Sequence, residues 1–268
     1  MSAISSTSNP TVRRIGQLIE SRKQRRKEGA FFVEGAPFVR LAWEAERPIE
    51  LIVVCEELLT DEASSILGRI RAAGKGPVFV QVTERVFSSI SDRNNPDGIG
   101  AILKVASVDL HSVDPAGQTV IPAFVDIQDP GNLGTVLRIC DATGVRTAIL
   151  TRESTDPFHP RAIRASRGSI FTVSVCHAES VDAMIDWARN RNMCVFATSA
   201  HGSVLPWNME CKKPILLLFG NEHTGLDAGT LEKADAIVTL PMLGKLSSVN
   251  VAVTAAVLLY EFARRTAQ

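Results

Sequence analysis

The chain has 268 residues, of which 45% are hydrophobic and 22% charged, and its 29 basic residues balance 29 acidic ones. That length favours two domains, and no apolar run reaches the roughly 18 residues that a membrane span requires. The five cysteines are odd in number without C-x-x-C spacing, and the first residues lack the apolar core of a secretory signal. We therefore expect a cytoplasmic protein with reduced, buried thiols and no membrane segment.

The first predicted element is a strongly basic helix between residues 13 and 27, where seven basic residues stand against one acid. A solvated helix face has the same composition. This cluster, however, directly precedes a strand and should lie exposed at the edge of a folded unit, where it can meet phosphates. It predicts RNA contacts from Arg13, Arg14, Arg22, Lys23, Arg25, Arg26 and Lys27.

Alternating helices and strands follow up to residue 105 and indicate a small α/β unit. Strands are predicted at 31–33, 49–54, 78–82 and 98–105, and helices at 37–46 and 61–73. The polar, turn-rich stretch over residues 107–118 then predicts a linker. These boundaries divide the chain into a first domain over 1–106 and a second domain over 119–268.

The second α/β unit opens with a buried strand and turns at Gly131 and Gly134 into a helix predicted over residues 132–143. Glycines at such a turn expose backbone N–H groups to an anion, although many turns need glycine only to bend. Arg138 stands among apolar neighbours near the N-terminal end of this helix, where a cation opposes the helix dipole. We expect it to need an anionic partner, either Glu222 or a substrate phosphate.

Three arginines, Arg161, Arg164 and Arg167, are spaced by three along a short predicted helix. The spacing places them on adjoining parts of one face, and no acid stands among them, which favours a polyanion over a solvated surface. We predict RNA contacts from Arg164 and Arg167. No second ligand follows His159 or His223 at helical spacing, so no metal site is predicted.

Polar residues stand beyond three further predicted strands: the stretch 198–202, Glu222 within GNEHTGL, and Asn250 within LSSVNVAV. In open α/β sheets, ligands bind where strands end. A carboxylate just beyond a buried strand is costly unless it is paired. Ser247 or Ser248 is predicted to cap the last helix. Asn250, one turn into that helix, should have a partner because its amide competes with the backbone.

Three motifs now resemble, in order, those of the SpoU or TrmH-like branch of the SPOUT RNA methyltransferases. They are NLGTVLR (residues 132–138), GNEHTGL (220–226), and LPM (240–242) with SSVNV (247–251). Leu240 and Val249 replace the family's usual isoleucine and leucine, and both exchanges are apolar. The N-terminal segment also resembles the family's ribosomal-protein-like substrate-binding domain, and the RASRG stretch is similar to that of its thiostrepton-resistance members.

The resemblance implies a C-terminal α/β domain over 119–268 with a parallel sheet and a deep trefoil knot, a small RNA-binding α/β domain over 1–106, and a homodimer formed through the catalytic domain. It implies S-adenosylmethionine as cofactor and methyl transfer to a ribose 2'-hydroxyl, without a metal. The implied catalytic group, assisted by Arg167, is Asn132, Arg138, Glu222, Ser248 and Asn250. The implied cofactor contacts are Thr198, Ser199, Gly202, Phe219, Gly220, Asn221, Leu240, Met242, Ser248, Val249 and Asn250.

Methyl transfer from a sulfonium requires positioning and the removal of one proton, because the methyl group is already activated. The family's proposed base is the arginine of the first motif, here Arg138, although a guanidinium stays protonated in proteins. Two hypotheses follow. Arg138 accepts the proton after passing its own to a phosphate-linked relay, or it orients the hydroxyl and phosphate while water takes the proton.

Two other functions are compatible with the same fold, a non-catalytic RNA-binding module and a methyltransferase that modifies a base nitrogen. The intact motif set argues against the first, and the ribose-type third motif argues against the second. The resemblance of the N-terminal domain favours 23S ribosomal RNA as substrate over transfer RNA. A role in antibiotic resistance stays open.

Overall fold

A computed structural model describes residues 3–74, 76–106, 108–210 and 212–266. The chain divides into two compact units: unit 1 is Met1–Ala106 with Phe158–Ile163, and unit 2 is Ser107–Pro157 with Arg164–Gln268. Among the described residues, no helix has the length and apolar character needed to cross a membrane.

Within the described residues, unit 1 forms a four-stranded sheet and five α-helices. Its helices are α1 (Pro10–Glu20), α2 (Arg22–Glu28), α3 (Ala36–Glu44), α4 (Asp61–Ala72) and α5 (Glu84–Ile90), and its strands are β1 (Ala30–Glu34), β2 (Ile49–Val54), β3 (Val78–Gln81) and β4 (Ile99–Lys104). The strand order is β1-β4-β2-β3; β4 pairs antiparallel with β1 and β2, and β2 pairs parallel with β3. Ile15, Phe87 and Ile102 lie in its apolar core. The predicted strands and the helices at 37–46 and 61–73 form within two residues of their expected ends.

The basic segment forms two helices, where the sequence predicted one. Ser21 ends α1, and its hydroxyl accepts the N–H of Gln24 at 3.2 Å, so that it caps α2. Gly29 ends α2 in the left-handed conformation that glycine adopts without strain. The chain therefore turns within the basic cluster, and its cations are divided between two helices.

Two of the basic residues predicted to contact RNA are held by the fold itself. Arg25 is 2% exposed, and its Nη1 donates to the carbonyl of Leu18 at 2.7 Å, where the end of α1 leaves carbonyls without helical partners. Arg14 donates from Nε to Glu28 at 2.6 Å and from Nη1 to Glu50 at 2.5 Å. Hydrogen bonding to Glu50 raises the pKa of Arg14 and lowers the pKa of that carboxyl. The RNA prediction is therefore wrong for Arg25, and Arg14 is neutralised by two carboxylates.

Unit 2 contains a seven-stranded sheet. Its strands are β5 (Val108–Asp109), β6 (Val120–Phe124), β7 (Thr147–Thr151), β8 (Ser174–Ala178), β9 (Cys194–Thr198), β10 (Ile215–Phe219) and β11 (Ala236–Val238). Its helices are α6 (Pro130–Ala142), α7 (Pro160–Ser166, whose first four residues cluster with unit 1), α8 (Val181–Asn190), α9 (Ala228–Glu232) and α10 (Val251–Thr266).

All neighbouring strands of this sheet pair in parallel, in the order β11-β9-β10-β6-β7-β8-β5. The central strands β6 and β10 are buried along their whole length, which is typical of parallel sheets covered on both faces. Helices α6 and α10 pack against each other. The predicted parallel α/β fold is confirmed.

The segment predicted as a linker is part of unit 2. Strand β5 pairs with β8 at the edge of the sheet, and Leu110 and Val113 are buried in the same core as Trp187. The polar residues between them face solvent, as an edge position allows. The polar composition of this segment suggested a loop. In the structure, two apolar residues, Leu110 and Val113, anchor it in the core of unit 2.

The prediction of reduced, buried thiols is confirmed for some of the cysteines and wrong for one. Cys55, Cys140 and Cys176 are free and buried, and burial raises the pKa of the Cys140 thiol to about 12. Cys194 is disulfide-bonded, so the expectation of reduced thiols is wrong for this residue. An odd number of cysteines does not exclude one pair among them. Cys211 lies outside the described residues.

The last helix begins at Val251, and Asn250 caps it. The Oδ1 of Asn250 accepts the N–H of Ala252 at 2.8 Å. Ser247 and Ser248 are exposed in the preceding loop, so the predicted serine cap is wrong, and Asn250 lies outside the helix. The sequence did not separate these positions because serine and asparagine are both favoured N-caps.

Candidate active site

The candidate site lies at the carboxyl edge of the seven-stranded sheet, where neighbouring strands end together. Phe219 of β10 pairs with Phe124 of β6, and Val238 of β11 pairs with Thr198 of β9. The strand order reverses between β6 and β10, because the chain continues from β6 to β7 on one side and places β9, β10 and β11 on the other. Such a switch point is where open parallel sheets bind ligands.

Glu222 is the centre of a hydrogen-bonded cluster at this edge. Its Oε1 accepts the Nδ2 of Asn132 at 3.1 Å and the N–H of Asp129 at 3.3 Å, and its Oε2 accepts the N–H of Gln128 at 3.1 Å. The Oδ1 of Asn132 in turn accepts the Nδ2 of Asn250 at 2.9 Å. We call these five residues the Glu222 cluster. Three of the predicted catalytic residues thus meet from three separate segments of the chain.

The hydrogen bonds of the Glu222 cluster set its charge. Burial raises the pKa of Glu222, but hydrogen bonds from Asn132 and from the backbone N–H groups of Glu222 itself, Gln128 and Asp129 outweigh burial and lower the pKa below its ordinary value. Glu222 is therefore a carboxylate at neutral pH and only accepts hydrogen bonds. The amide of Asn132 is oriented accordingly, with its nitrogen toward Glu222 and its oxygen toward Asn250.

Sequence reasoning missed three contributors to this arrangement, the N–H groups of Gln128 and Asp129 and the side chain of Asn221. The Oδ1 of Asp129 caps α6 by accepting the N–H of Asn132 at 2.9 Å. An Asp-Pro pair is a signal for such a helix start and was available in the sequence. The Nδ2 of Asn221 donates to the carbonyl of Asp126 at 2.8 Å, a contact between distant segments that no local pattern indicates.

Arg138 does not join the Glu222 cluster, and the predicted ion pair between Arg138 and Glu222 is wrong. Arg138 is exposed, and within the described part of the chain it makes no ion pair. It follows Asn132 by six residues on α6, which places it roughly 120° around the helix axis and roughly 9 Å further along it. Its guanidinium is therefore available to an anion from outside the described residues. A substrate phosphate was the alternative partner that the sequence predicted for Arg138.

Ser248 is the remaining residue of the predicted catalytic group. It lies in the exposed loop before α10, next to Val249, and Leu243 and Leu246 of the same loop are also exposed. Across the described residues, no hydrogen bond joins Ser248 to the Glu222 cluster. The structure therefore places Ser248 two residues from the cluster along the chain without bringing it into contact.

At the same edge, the loop after β9 lies close to β11, and the loop after β10 folds closely on itself. The N–H of Ser199 donates to the carbonyl of Val238 at 3.0 Å. A Cβ atom at Gly202 would lie 2.6 Å from the carbonyl oxygen of Ile237, and one at Gly220 would lie 2.3 Å from the backbone of Gly225. Both positions therefore require glycine for the close approach of two backbones.

The residues predicted to bind the cofactor lie at the ends of β9 and β10, in the loops that follow them, and in the segment between β11 and α10. Thr198, Ser199, Gly202, Gly220, Asn221, Leu240 and Met242 are half-buried, Phe219 is buried, and Ser248, Val249 and Asn250 are exposed. These residues have apolar or uncharged polar side chains, and none of them is charged. A nucleoside with a neutral purine needs such a pocket, apolar with a few polar contacts, so the residues fit S-adenosylmethionine.

Arg164 and Arg167, predicted to contact RNA, are both exposed. Arg167 has a left-handed backbone with φ of 54°, which costs about 1 kcal/mol or more in a residue other than glycine. The hydroxyl of Ser169 donates to Asp141 of α6 at 3.0 Å and ties the turn after Arg167 to α6, one helical turn beyond Arg138. Arg167 therefore lies in a turn that is tied to α6, and its side chain is exposed, as is that of Arg138.

The predicted RNA contacts of unit 1, other than Arg14 and Arg25, remain accessible. Arg22 is half-buried, and the exposed ones are Arg13, Lys23, Arg26 and Lys27. Among the residues that the structure describes, no group of three His, Cys, Asp or Glu side chains is arranged to hold a metal.

Comparisons with known proteins give matches over both parts of the chain. Residues 119–260 match the SpoU rRNA Methylase family, and residues 9–101 match the MRM3-like substrate binding domain. The chain is 28% identical to the 23S rRNA (guanosine(2553)-2'-O)-methyltransferase RlmP of Bacillus subtilis, over 97% of this chain and 98% of that protein. It is 27% identical to the 23S rRNA (uridine(2479)-2'-O)-methyltransferase of Streptomyces viridochromogenes, over 92% of this chain and 87% of that protein. The crystal structure of an AdoMet-bound rRNA methyltransferase from Sinorhizobium meliloti has the same fold, with a TM-score of 0.88 and 31% identity over 100% of this chain and 98% of that one.

Proposed function

The chain belongs to the SpoU rRNA methylase family, and from this premise we propose that it transfers a methyl group from S-adenosylmethionine to a ribose 2'-hydroxyl of 23S ribosomal RNA. The family and the enzyme class predicted from the sequence are confirmed. Both named relatives are 23S rRNA 2'-O-methyltransferases, which favours ribosomal over transfer RNA.

The Glu222 cluster is the observation that carries this proposal. Glu222 accepts the amide of Asn132 and the backbone N–H groups after β6, so these residues shape the site. Asn250 links this cluster to the start of α10. The loop that carries Ser248 and Val249 is therefore anchored at its end, beside the strand ends of the switch point.

The strand-end loops are proposed to hold S-adenosylmethionine, which supplies a methyl group activated by its sulfonium. Leu240, Met242 and Val249 offer apolar surface for the adenine, and backbone groups of residues 198–202 and 219–221 offer polar contacts. The tight approaches at Gly202 and Gly220 support this assignment, because a side chain at either position would occupy the space next to the backbone that is proposed to contact the cofactor.

Arg138 is proposed to orient the RNA. Its guanidinium is exposed and has the planar geometry that binds phosphate oxygens in pairs, and Arg167, in the turn tied to α6 through Ser169, adds a second exposed cation. Because a guanidinium stays protonated, we favour the hypothesis that Arg138 orients the hydroxyl and its phosphate while the proton passes from the 2'-oxygen to water. The exposed position of Arg138 gives water access to that oxygen.

The catalytic unit is proposed to form a homodimer through α10. Val253, Val257 and Tyr260 recur at i, i+4 and i+7 and are exposed, whereas Ala255 and Leu258 on the other face are buried. An exposed apolar stripe of this kind marks an interaction surface, and a self-complementary contact is usual in soluble oligomers. We expect Val257→Glu to halve the mass measured by sedimentation equilibrium; a monomeric unmodified chain would contradict the dimer.

Three finer expectations remain proposals. The hydrogen bonds between the loop after β9 and β11 support a trefoil knot. The two matches, which end at residue 101 and begin at residue 119, support an RNA-binding domain over 1–106 and a catalytic domain over 119–268, whose sheet is completed by the packed residues 108–113. A ribosomal RNA substrate supports a cytoplasmic location.

The direct test measures where the methyl group goes. Ribosomal and transfer RNA from cells that lack the protein are incubated separately with the chain and methyl-labelled S-adenosylmethionine, and the RNA is then hydrolysed with alkali. A methylated 2'-oxygen cannot attack the adjacent phosphate, so we expect the label in an alkali-resistant dinucleotide from 23S rRNA. Label on a base would refute ribose methylation, label confined to transfer RNA would refute the rRNA substrate, and cofactor binding without label in any RNA would refute the enzyme.

A further inference from the structure

Two residues outside the predicted site, Asp126 and Thr151, form a second hydrogen-bonded pair at the same edge of the sheet. Asp126 follows β6 and has a left-handed backbone with φ of 53°, a conformation that costs about 1 kcal/mol or more outside glycine. Thr151 ends β7 and is buried. Its Oγ1 accepts the N–H of Asp126 at 2.8 Å and donates to Asp126 Oδ1 at 2.6 Å. The threonine hydroxyl thus stabilises the unusual conformation in which the chain leaves β6.

The turn held by this pair leads directly to the Glu222 cluster. The carbonyl of Asp126 accepts the Nδ2 of Asn221 at 2.8 Å and the Nε2 of Gln128 at 3.1 Å. The N–H groups of Gln128 and of the next residue then donate to Glu222. Asp126 is therefore bonded toward β7 on one side and toward β10 on the other, and these strands flank β6 in the sheet.

We propose that Asp126 and Thr151 are positioning residues for methyl transfer, which hold residues 126–129 in the conformation that presents two backbone N–H groups to Glu222. The inference rests on the proposed function. Thr151 acts through Asp126, and the effect passes from Glu222 through Asn132 to Asn250 and the loop before α10. Loss of the hydroxyl leaves a backbone N–H and a carboxylate oxygen without their buried partner, a disfavoured arrangement that moves the turn.

The test compares two valine variants of the same strand. Thr151→Val removes the hydroxyl and keeps the branched shape, and Thr147→Val does the same at the other end of β7, where Thr147 is 6% exposed against 5% for Thr151. We expect Thr151→Val to lower kcat for 23S rRNA by about 10-fold to 100-fold, with little change in the KM for S-adenosylmethionine, since small displacements of positioning groups have effects of this size. Thr147→Val should keep the kcat of the unmodified chain, and Thr151→Ser, which restores the hydroxyl, should recover most of it.

A double-mutant cycle separates positioning from a general loss of stability. In a Glu222→Gln background, Thr151→Val should have little further effect on kcat, because both changes act through the same carboxylate. Asp126→Gly, which adopts the left-handed backbone without strain, removes the contact between the carboxylate and the Thr151 hydroxyl but keeps the contact of the backbone N–H, so it should lower kcat less than Thr151→Val does. If Thr151→Val lowered kcat by the same factor in the Glu222→Gln background as in the unmodified chain, the inference would be overturned.

Amide hydrogen exchange gives a readout that does not require the reaction. We expect faster exchange over residues 126–132 and 220–226 in Thr151→Val and unchanged exchange there in Thr147→Val. Equal loss of kcat in both valine variants, full kcat in Thr151→Val, or unchanged exchange in both segments would each overturn the inference. Absence of methyl transfer by the unmodified chain would overturn the proposed function, and the exchange measurement would still decide whether Thr151 holds the turn.

Discussion

The basic helices α1 and α2 and the Glu222 cluster both stand out in the sequence by their polar side chains, but the fold uses them in opposite ways. In the helices, Arg25 is buried against backbone carbonyls, whereas Arg26 beside it is exposed. In the cluster, the charge of Glu222 is satisfied by neutral N–H donors, and the cation of the neighbouring motif, Arg138, is left exposed. A charged residue in a pattern therefore indicates a binding site only when its partners within the fold are known.

The difference has a physical cause. A long guanidinium next to a helix end reaches carbonyls that lack helical partners, so part of a basic cluster becomes structural. A carboxylate at a strand end lies among the free N–H groups of loops and of a helix N-terminus, so it needs no cation. The arginine expected to neutralise it then stays available to substrate.

Loss of Arg138 is the largest expected effect and tests whether the exposed cation serves the reaction. Arg138→Ala should lower kcat/KM for 23S rRNA by about 10²-fold to 10³-fold, because an oriented charge contact to the reacting group is removed. The affinity for S-adenosylmethionine, measured by calorimetry, should be unchanged, and Arg146→Ala, at another exposed arginine of unit 2, serves as control. Near-normal turnover by Arg138→Lys with a shifted pH profile would contradict paired contacts from the guanidinium.

Glu222→Gln tests whether the cluster depends on a carboxylate. Glu222 accepts N–H groups at both oxygens, so an amide places its own NH₂ against a donor. We expect kcat to fall about 10-fold to 100-fold and the free energy of unfolding in urea to fall by about 1–3 kcal/mol. Glu232→Gln, at an exposed glutamate of α9, should change neither, and a stable, fully active Glu222→Gln variant would show that the cluster is dispensable.

Arg25→Met tests the structural side of the basic helices. The variant keeps the buried stem but leaves carbonyls at the end of α1 without their donor, so we expect urea unfolding to show a loss of about 1–3 kcal/mol. The dependence of RNA affinity on salt should stay the same, since a buried guanidinium releases no counterions from RNA. A reduced salt dependence in the variant would show that Arg25 contacts RNA phosphates.

Exposed cations of the same helices should affect the salt dependence of RNA binding and leave stability nearly unchanged, the opposite of what is expected for Arg25. Replacing Arg26 and Lys27 together by alanine should change stability by less than about 0.5 kcal/mol. It should reduce the slope of log affinity against log salt by about 1.4 to 1.8, the release expected for two phosphate contacts. Filter binding of 23S rRNA at several salt concentrations measures this slope, and an unchanged slope would remove α2 from the RNA interface.

The smallest expected effect is the pH dependence of stability at Glu222. Because the native pKa of Glu222 is lowered, its ionisation contributes stability that is present at neutral pH and is lost as the pH falls through that lowered pKa. The difference in unfolding free energy between the unmodified chain and Glu222→Gln should therefore shrink on acidification. A difference that stays constant down to strongly acidic pH would show that its contacts do not depend on the charge.

Much of the fold was predictable from local patterns. Buried runs such as that of β10 indicated parallel strands, Glu222 was correctly predicted just beyond the end of one of them, and Asn132 at the start of a helix. The serine cap was predicted wrongly because serine and asparagine are both favoured caps. The linker and the pairing of Arg138 with Glu222, one of its two expected partners, were wrong because each depends on contacts with residues far along the chain. Asp126 and Thr151 were not predicted at all, since a left-handed aspartate and a buried threonine leave no pattern in the sequence.

The sequence by itself determined the order of strands and helices, the family and the type of chemistry, because these follow from hydrophobic periodicity and from short motifs. Only the tertiary structure decided which polar groups are partners. Hydrogen bonds join atoms that lie close in space, and the parallel sheet brings strand ends separated by about a hundred residues to one edge. There Glu222 meets N–H groups and Arg138 remains exposed, a difference that depends on three-dimensional proximity.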